Sequence, residues 1–252
     1  MFNFADMTWE HIRALPPQSA VAILPLGATE AHGPHLPLAT DVIISEAMAR
    51  RAAQLIHERP GGLKPVILPS LYYTPAPFAS AFPGTISLRP ETMTAVLIDL
   101  ASSLESAGFS TLAIANSHLD PLHLGALEAA LIQISESSLK IAFPNIVTRE
   151  LARLMPEEFK TGACHAGQYE TSIVMAARPD LVHEEIRATL DPVPHSLSRA
   201  IREGKTSFEA SGGPRAYFGW PANATEEEGH RTIELMANML VDAITQSTRT
   251  RS

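Results

Sequence analysis

The sequence predicts a single α/β domain over residues 1–252, with a mostly parallel β-sheet and helices on both faces. Short apolar runs of strand length alternate along the chain with longer segments whose apolar residues recur at helical spacing. Such alternation is typical of a parallel sheet covered on both faces. The sequence between Ala20 and Ile244 contains no repeat, no low-complexity tract and no linker, so one domain is expected.

Local signals define each element in order. The predicted strands are residues 20–26, 66–68, 111–115 and 141–147. The predicted helices are residues 9–15, 42–58, 90–108, 122–135, a segment ending at 155, 170–177 and a last helix after residue 225. Residues 20–26 are continuously apolar, as in a strand buried on both faces. Pro90 and Gly108 suit the two ends of a helix, and Thr225 with Glu228 forms a capping-box pattern. Residues 72–87 form a Pro-rich loop, and residues 186–222 are predicted to be irregular.

Composition excludes several classes of function. Hydrophobic residues make up 45% and charged residues 18%, as in soluble globular proteins. No apolar run approaches the roughly 20 residues of a membrane span, and no signal peptide is visible, so a cytoplasmic protein without membrane contact is expected. A net charge of −8 without a basic cluster argues against nucleic-acid binding. The single cysteine, Cys164, excludes an internal disulfide and a Cys-rich zinc site.

Residues 27–41 carry potential metal ligands between a predicted strand and a predicted helix. Glu30, His32 and Asp41 are side chains that bind Zn²⁺, Mn²⁺ or Fe²⁺. Glu30 and His32 are two residues apart, so they point the same way in an extended segment. The ordinary alternative is that Asp41 caps the following helix and that His32 and His35 are polar loop residues. Their coincidence in one loop favours one side of a metal site.

Two later segments supply a potential second side. His118 follows the strand predicted at residues 111–115, and ligands of parallel sheets bind beyond the carboxyl ends of strands. The two polar segments therefore share one rim if their strands are neighbours. A third cluster contains Cys164, His165 and Glu170. Glu170 also suits the first turn of a helix, and Cys164 is expected to be a buried, inert thiol.

These motifs resemble the creatininase family of metal-dependent amidohydrolases. Residues 25–41 fit its long first motif, and residues 82–88 (Phe-Pro-Gly-Thr-Ile-Ser-Leu) fit its second. Asn116-Ser117-His118 is similar to the third motif. His165-Ala166-Gly167 with Glu170-Thr171-Ser172 is similar to the fourth. The motifs follow the family order across nearly the whole chain.

The resemblance implies two divalent metal ions, Zn²⁺ and/or Mn²⁺, with Fe²⁺ as a further candidate. The implied metal ligands are Glu30, His32, Asp41, His118 and Glu170. Asp41 would bridge the ions, Glu30 and His118 would hold one, and His32 the other. Asp120 is the alternative to Glu170 for the second ion.

The implied reaction is cleavage of a C–N amide bond in a small cyclic or linear amide by metal-activated hydroxide. His165 would be the substrate-facing histidine, and His165, Asp120 or Glu170 would transfer a proton to the leaving nitrogen. Family resemblance also implies a homo-oligomer, hexamer-like in form.

The chain departs from the family pattern where substrate would bind. Leu119 and Asp120 replace the two glycines common after the third motif, and Gln168 stands where a glutamate is common. Residues 73–78 lack the polar pattern expected there. These changes predict a substrate other than creatinine. The alternative function is a degenerate member that binds a metal or small molecule as a regulator. Phosphate-ester hydrolysis is disfavoured, since no basic clamp is evident.

Overall fold

The computed structural model describes residues 2–59 and 61–249. Its strands are β1 (Phe2–Asn3), β2 (Ala20–Leu26), β3 (Lys64–Ile67), β4 (Thr111–Asn116) and β5 (Lys140–Ala142). The described strands form one sheet in the order β1-β3-β2-β4-β5, and every pairing is parallel. The predicted α/β class with a parallel sheet is confirmed.

The connections between strands are mainly helical. The first helices are α1 (Trp9–Arg13), α2 (Thr40–Glu58), α3 (Pro90–Ser106), α4 (Pro121–Ile134) and α5 (Arg149–Ala152). The later helices are α6 (Glu157–Thr161), α7 (Gln168–Ala177), α8 (Glu184–Arg187), α9 (Leu197–Arg202) and α10 (Glu226–Arg249). Short 3-10 helices occupy Phe4–Asp6, Pro77–Ala79, Pro179–Leu181 and Pro221–Asn223. None of the described helices is both long and apolar enough to cross a membrane.

Helices cover both faces of the sheet, as predicted. Helices α2, α7 and α10 pack on one face, where Val21 and Ile23 of β2 contribute to the core. Helices α3 and α4 pack together on the other face against Ala22 and Leu24. Because successive strand residues point to opposite faces, this double burial explains why residues 20–26 are all apolar.

The order of the strands creates a topological switch point beside β2. The chain leaves β2 for β3 on one side, then crosses back to β4 on the other side. Strand β2 pairs directly with β4, with Leu26 opposite Asn116 at the last register position. The segments that follow β2 and β4 therefore start side by side, at the place where α/β sheets bind ligands.

Three expectations for individual elements are corrected. The strand predicted at residues 141–147 is only Lys140–Ala142, because the chain turns at Phe143 and Pro144 and Asn145 N donates to Phe143 O. The helix expected to end at residue 155 is the single turn α5. The segment predicted to be irregular contains α9, whose first turn is capped by the Ser196 hydroxyl accepting from Arg199 N.

The capping box predicted before the last helix is half formed. The Thr225 hydroxyl accepts from Glu228 N at 3.2 Å. The Glu228 carboxylate instead accepts from Gln168 Nε2 at 2.5 Å, and Thr225 N donates to Ser172 Oγ at 3.0 Å. Contacts with α7 thus replace the second half of the box and attach the start of α10 to α7.

Two glycine substitutions test this packing. A Cβ at Gly229 in α10 would collide with the carbonyl oxygen of Ser172, whereas a Cβ at Gly125 in α4 would point into open space. We expect Gly229→Ala to lower the free energy of unfolding by about 1–3 kcal/mol, since the helices must move apart. Gly125→Ala should raise it by about 0.5–1 kcal/mol. Urea denaturation measures both, and equal stability of the two variants would contradict this packing.

Candidate metal centre

The site lies at the switch point, where the loop after β2 meets the segment after β4. Glu30 and His32 lie in the loop, Asp41 lies in the first turn of α2, and His118 follows β4. All four side chains are buried. The loop passes so close to α2 that a Cβ at Gly27 would lie 2.6 Å from the backbone nitrogen of Val42, which explains the need for glycine.

Asp41 is at the centre of the cluster. Its Oδ2 lies 3.0 Å from His118 Nδ1, and its Oδ1 lies 3.3 Å from His32 Nε2. Glu30 Oε1 lies 3.3 Å from the same His118 nitrogen. The two oxygens of Asp41 thus face two different imidazoles. Asp41 does not cap α2, whose N-cap residue is Ala39.

Helix α7 and the segment just before it add two further side chains to this cluster, Glu170 and His165. Glu170 Oε2 lies 3.5 Å from His32 Nε2 and accepts from Ala166 N at 2.6 Å. His165 Nδ1 lies 3.9 Å from Glu30 Oε1, and its ring centroid is 4.3 Å from that of His32. Glu170 is therefore part of the cluster as well as part of the first turn of α7.

Each of the three histidines points one ring nitrogen at a backbone carbonyl and the other into the cluster. The carbonyl acceptors are Glu30 O for His32 Nδ1 at 3.2 Å, Pro75 O for His118 Nε2 at 2.8 Å and Ala31 O for His165 Nε2 at 3.0 Å. A carbonyl oxygen can only accept, so these nitrogens carry the proton in the neutral rings. The nitrogens facing the carboxylates then present lone pairs, the orientation that metal-binding histidines adopt.

The shifted pKa values show that the carboxylates of this cluster favour a positive charge beside them. Burial opposes protonation of His32, but Asp41, Glu170 and Glu30 outweigh it and raise the pKa of His32 to about 10. Burial raises the pKa of Glu170 to about 8. His32 and His118 hold the pKa of Asp41 below its usual range despite its burial.

Buried polar atoms without a hydrogen-bond partner also indicate that a cation belongs in this cluster. Glu30 Oε2, His32 Nε2 and Asp41 Oδ2 are buried and have no hydrogen-bond partner among the described residues. Buried polar atoms are normally satisfied. Three groups of side chains offer ligand atoms close enough to hold one ion each: Glu30, Asp41 and His118; His32, Asp41 and Glu170; and Glu30, His32 and His165. The first two groups share Asp41, and this donor set suits a pair of divalent cations.

Asp120, the alternative ligand, occupies a different place. It is the N-cap of α4, where its Oδ1 accepts from Leu122 N at 2.8 Å and its Oδ2 accepts from Phe78 N at 3.3 Å. It belongs to none of the three candidate groups. Burial raises the pKa of its carboxyl. The structure thus brings Glu170 into the cluster and leaves Asp120 at the helix start, beside His118.

Two other residues of the sequence motifs lie apart from the cluster contacts. His35 Nε2 lies 2.9 Å from Thr171 Oγ1, and its ring contributes to none of the candidate groups. Burial raises the pKa of the Cys164 thiol, which is the behaviour of an inert cysteine.

Sequence reasoning missed His123, one of the residues that support His118. His123 stands edge-on to His118 with ring centroids 4.7 Å apart and places Nε2 2.8 Å from Asn116 Oδ1. Asn116 Nδ2 donates to His118 O at 2.8 Å, and the Ser117 hydroxyl donates to Asp41 O. Asn116 and Ser117 belonged to a recognised motif, but His123 lies on a helix and carried no signal of its own.

A second missed residue, Glu158, holds the His165–Glu170 segment in place. Its buried carboxylate accepts from the backbone nitrogens of Gln168, Tyr169 and Trp220 at 2.7–2.8 Å. A Cβ at Gly167 or Gly219 would collide with this carboxylate. Because the groups come from three separate segments, no local pattern could reveal them.

A cavity of about 670 Å³ leads from solvent to the cluster. Glu30, Asp41, His118, His165 and Glu170 line its inner end, since these residues are buried. Its walls are mainly apolar, and Phe78, Leu119 and Phe208 contribute to them. The ring centroid of Phe208 lies 4.1 Å from that of His165. The volume lies within the usual range for small-molecule sites, about 300–1,000 Å³.

The fold and this site define a parallel α/β protein with a buried histidine–carboxylate cluster at its switch point. Residues 5–244 match the family model Creatininase, described as creatinine amidohydrolase. The chain belongs to the creatininase family and is a hydrolase of that family.

Individual relatives differ in what they act on. The chain is 28% identical to the mycofactocin precursor peptide peptidase of Mycobacterium ulcerans, over 93% of this chain and 87% of the relative. It is also 28% identical to the creatinine amidohydrolase of Pseudomonas putida, over 95% of this chain and 94% of the relative.

Solved structures share the fold. A mutant creatininase complexed with creatine superposes with a TM-score of 0.73 at 23% identity, covering 96% of this chain and 97% of the other. A structure described as Creatininase Mn gives a TM-score of 0.71 at 22% identity, covering 98% of each chain. A Zn-Zn type mutant creatininase gives 0.70 at 22% identity with the same coverage.

The support that Glu158 gives the site can be measured. In Glu158→Gln an amide N–H group must face a backbone N–H group that the carboxylate now satisfies, leaving a buried donor unpaired. We expect the free energy of unfolding to fall by about 1–3 kcal/mol. Glu157→Gln is the matched control, because that neighbouring side chain is 90% exposed. Chemical denaturation reports both, and a Glu158→Gln variant as stable as the control would contradict this role.

Proposed function

We propose that this protein is a dinuclear metal-dependent amidohydrolase that cleaves the C–N bond of an amide. One observation supports the proposal most strongly: two groups of potential ligands, centred on different histidines, share Asp41. A single carboxylate whose two oxygens face the two groups is suited to bridging two ions.

The proposed ligands follow from this geometry. Glu30 and His118 would hold one ion, His32 and Glu170 the other, and Asp41 would join them. Glu170 is preferred over Asp120, because both oxygens of Asp120 already accept backbone N–H groups. Nitrogen and carboxylate ligands suit Zn²⁺ or Mn²⁺, with Fe²⁺ as a further candidate.

When bound, two divalent cations supply a polarised amide carbonyl and an activated water near neutral pH. His165 would then accept a proton at Nδ1 from the attacking water and donate that proton to the leaving nitrogen. Its Nε2–H is held by Ala31 O, which leaves Nδ1 free at the inner end of the cavity. Phe208 packs against this ring, with the two ring centroids 4.1 Å apart. Asp120 would serve the reaction by fixing the start of α4 and the backbone of Phe78.

Two kinds of relative support amide chemistry and leave the substrate open. One is named a peptide peptidase and another a creatinine amidohydrolase. Leu119 and Asp120, the departures that suggested a degenerate regulator, line the cavity without displacing any cluster residue. Hydrolysis is therefore the better proposal. A substrate other than creatinine, a homo-oligomeric assembly and a cytoplasmic location remain predictions.

Metal analysis of purified variants tests the ligand set. After reconstitution with Zn²⁺ or Mn²⁺, we expect two ions per chain in the unmodified protein. Asp41→Ala should lose both, whereas Glu30→Ala and Glu170→Gln should each lose mainly one. Asp120→Asn keeps an N-cap side chain and should retain both. Full metal occupancy in Asp41→Ala, measured by mass spectrometry, would disprove the shared-ligand arrangement.

A histidine variant separates proton transfer from metal binding. His165→Asn should retain both ions but lower kcat for amide hydrolysis by about 10²–10⁴-fold. The assay is a panel of cyclic and linear amides with the reconstituted protein. Loss of metal from this variant would instead make His165 a ligand, and unchanged kcat would remove it from the proton-transfer step.

A further inference from the structure

The outer part of the cavity carries a group of cations that the proposed reaction does not use. Arg149, Arg153, Lys160 and Arg202 all line the cavity, and all are exposed. They come from α5, α6 and α9 and the residue that follows α5. Since the cluster at the inner end is buried, these cations surround the mouth.

Most of this positive charge is not neutralised. Lys160 pairs with Glu157 at 2.7 Å, but no described carboxylate forms an ion pair with Arg149, Arg153 or Arg202. The carboxylates lining the cavity are those of the inner cluster and Asp120. The chain as a whole has a net charge of −8. At the mouth, by contrast, the lining contains four cations and none of their ion-pair partners, so the local charge is positive.

The walls between mouth and cluster are apolar. Phe78, Leu119, Leu124, Leu197, Ile201 and Phe208 line this part. The volume of about 670 Å³ is much larger than a small ring such as creatinine requires. An occupant that fills the cavity must therefore be apolar along its length and able to face cations at its outer end.

We propose that the substrate is an amphipathic anionic amide, with its C–N bond at the cluster, an apolar body along the walls and a free carboxylate at Arg149, Arg153 and Arg202. This inference rests on the proposed function for the position of the bond. The cations would attract and orient the substrate, because opposite charge in a cleft raises the rate of encounter and fixes direction. N-acyl amino acids and short peptides with apolar side chains belong to this chemical class.

A binding experiment tests the charge preference without requiring hydrolysis. The probes are N-dansyl-leucine and N-dansyl-leucinol, which differ only in carboxylate against alcohol and contain no carboxamide bond. Fluorescence titration of the metal-reconstituted protein gives Kd for each. We expect the acid to bind about tenfold more tightly at low salt, and this advantage should shrink at about 0.5 M salt, where exposed charges are screened.

Variants at the mouth locate the preference. Arg149→Gln and Arg202→Gln should each weaken binding of the acid about two- to fivefold and leave binding of the alcohol unchanged. Arg89→Gln is the charge-matched control, an exposed arginine outside the cavity, and should affect neither probe. Equal binding of acid and alcohol would overturn the proposal. So would an acid preference that survives undiminished when Arg149→Gln, Arg153→Gln and Arg202→Gln are combined, because the carboxylate would then bind the metal ions instead.

The experiments distinguish rejection of the anionic substrate from rejection of the proposed amide hydrolysis. Absence of hydrolysis across the whole amide panel, with metal bound, would reject the proposed reaction. Charge-independent binding of the dansyl probes would reject the anionic substrate even if amides are cleaved. For a cleaved amide, an acid and its neutral counterpart should differ in KM with similar kcat, because the arginines surround the mouth and not the bond.

Discussion

Three buried carboxylates facing three imidazoles form the interaction on which this structure depends. Removing ionised groups from water costs several kcal/mol each unless opposite charge and hydrogen bonds offset the loss. Here Glu30, Asp41 and Glu170 meet ring nitrogens whose opposite nitrogens already donate to backbone carbonyls. The arrangement therefore presents ligand atoms toward one another and is stable only with cations between them, either protons or metal ions.

The pairing of β2 with β4 brings these side chains together. Strand β2 lies beside β4 over six register positions, so the loop after Leu26 and the segment after Asn116 begin as neighbours. Helix α7 then approaches from the face shared with α2 and α10. Its start is held by the carboxylate of Glu158, which is why Gly167 must lack a side chain. Segments that are far apart in the sequence thus determine the positions of the potential ligand atoms.

Sequence analysis could predict what local chemistry determines. Periodicity located the long helices and the central strands, and residue types located the loop before Asp41. It failed for short elements: a turn at Phe143 and Pro144 ends β5 at Ala142, and the six residues of α9 carry too little periodicity. It left Glu170 and Asp120 open because both are acids near a histidine. The structure separates them: Glu170 lies 3.5 Å from His32, whereas Asp120 caps the start of α4.

The inner end of the cavity, here called its floor, and the mouth differ in how freely their residues can change. The floor comes from the switch point of the sheet, where a substitution disturbs buried charge. The mouth comes from short helices outside the sheet, where exposed residues can change at little cost in stability. Exposed residues of α5, α6 and α9 can therefore change the entrance of the cavity while the buried cluster stays intact. Asp120 is the exception, because a change there alters the wall and the helix cap together.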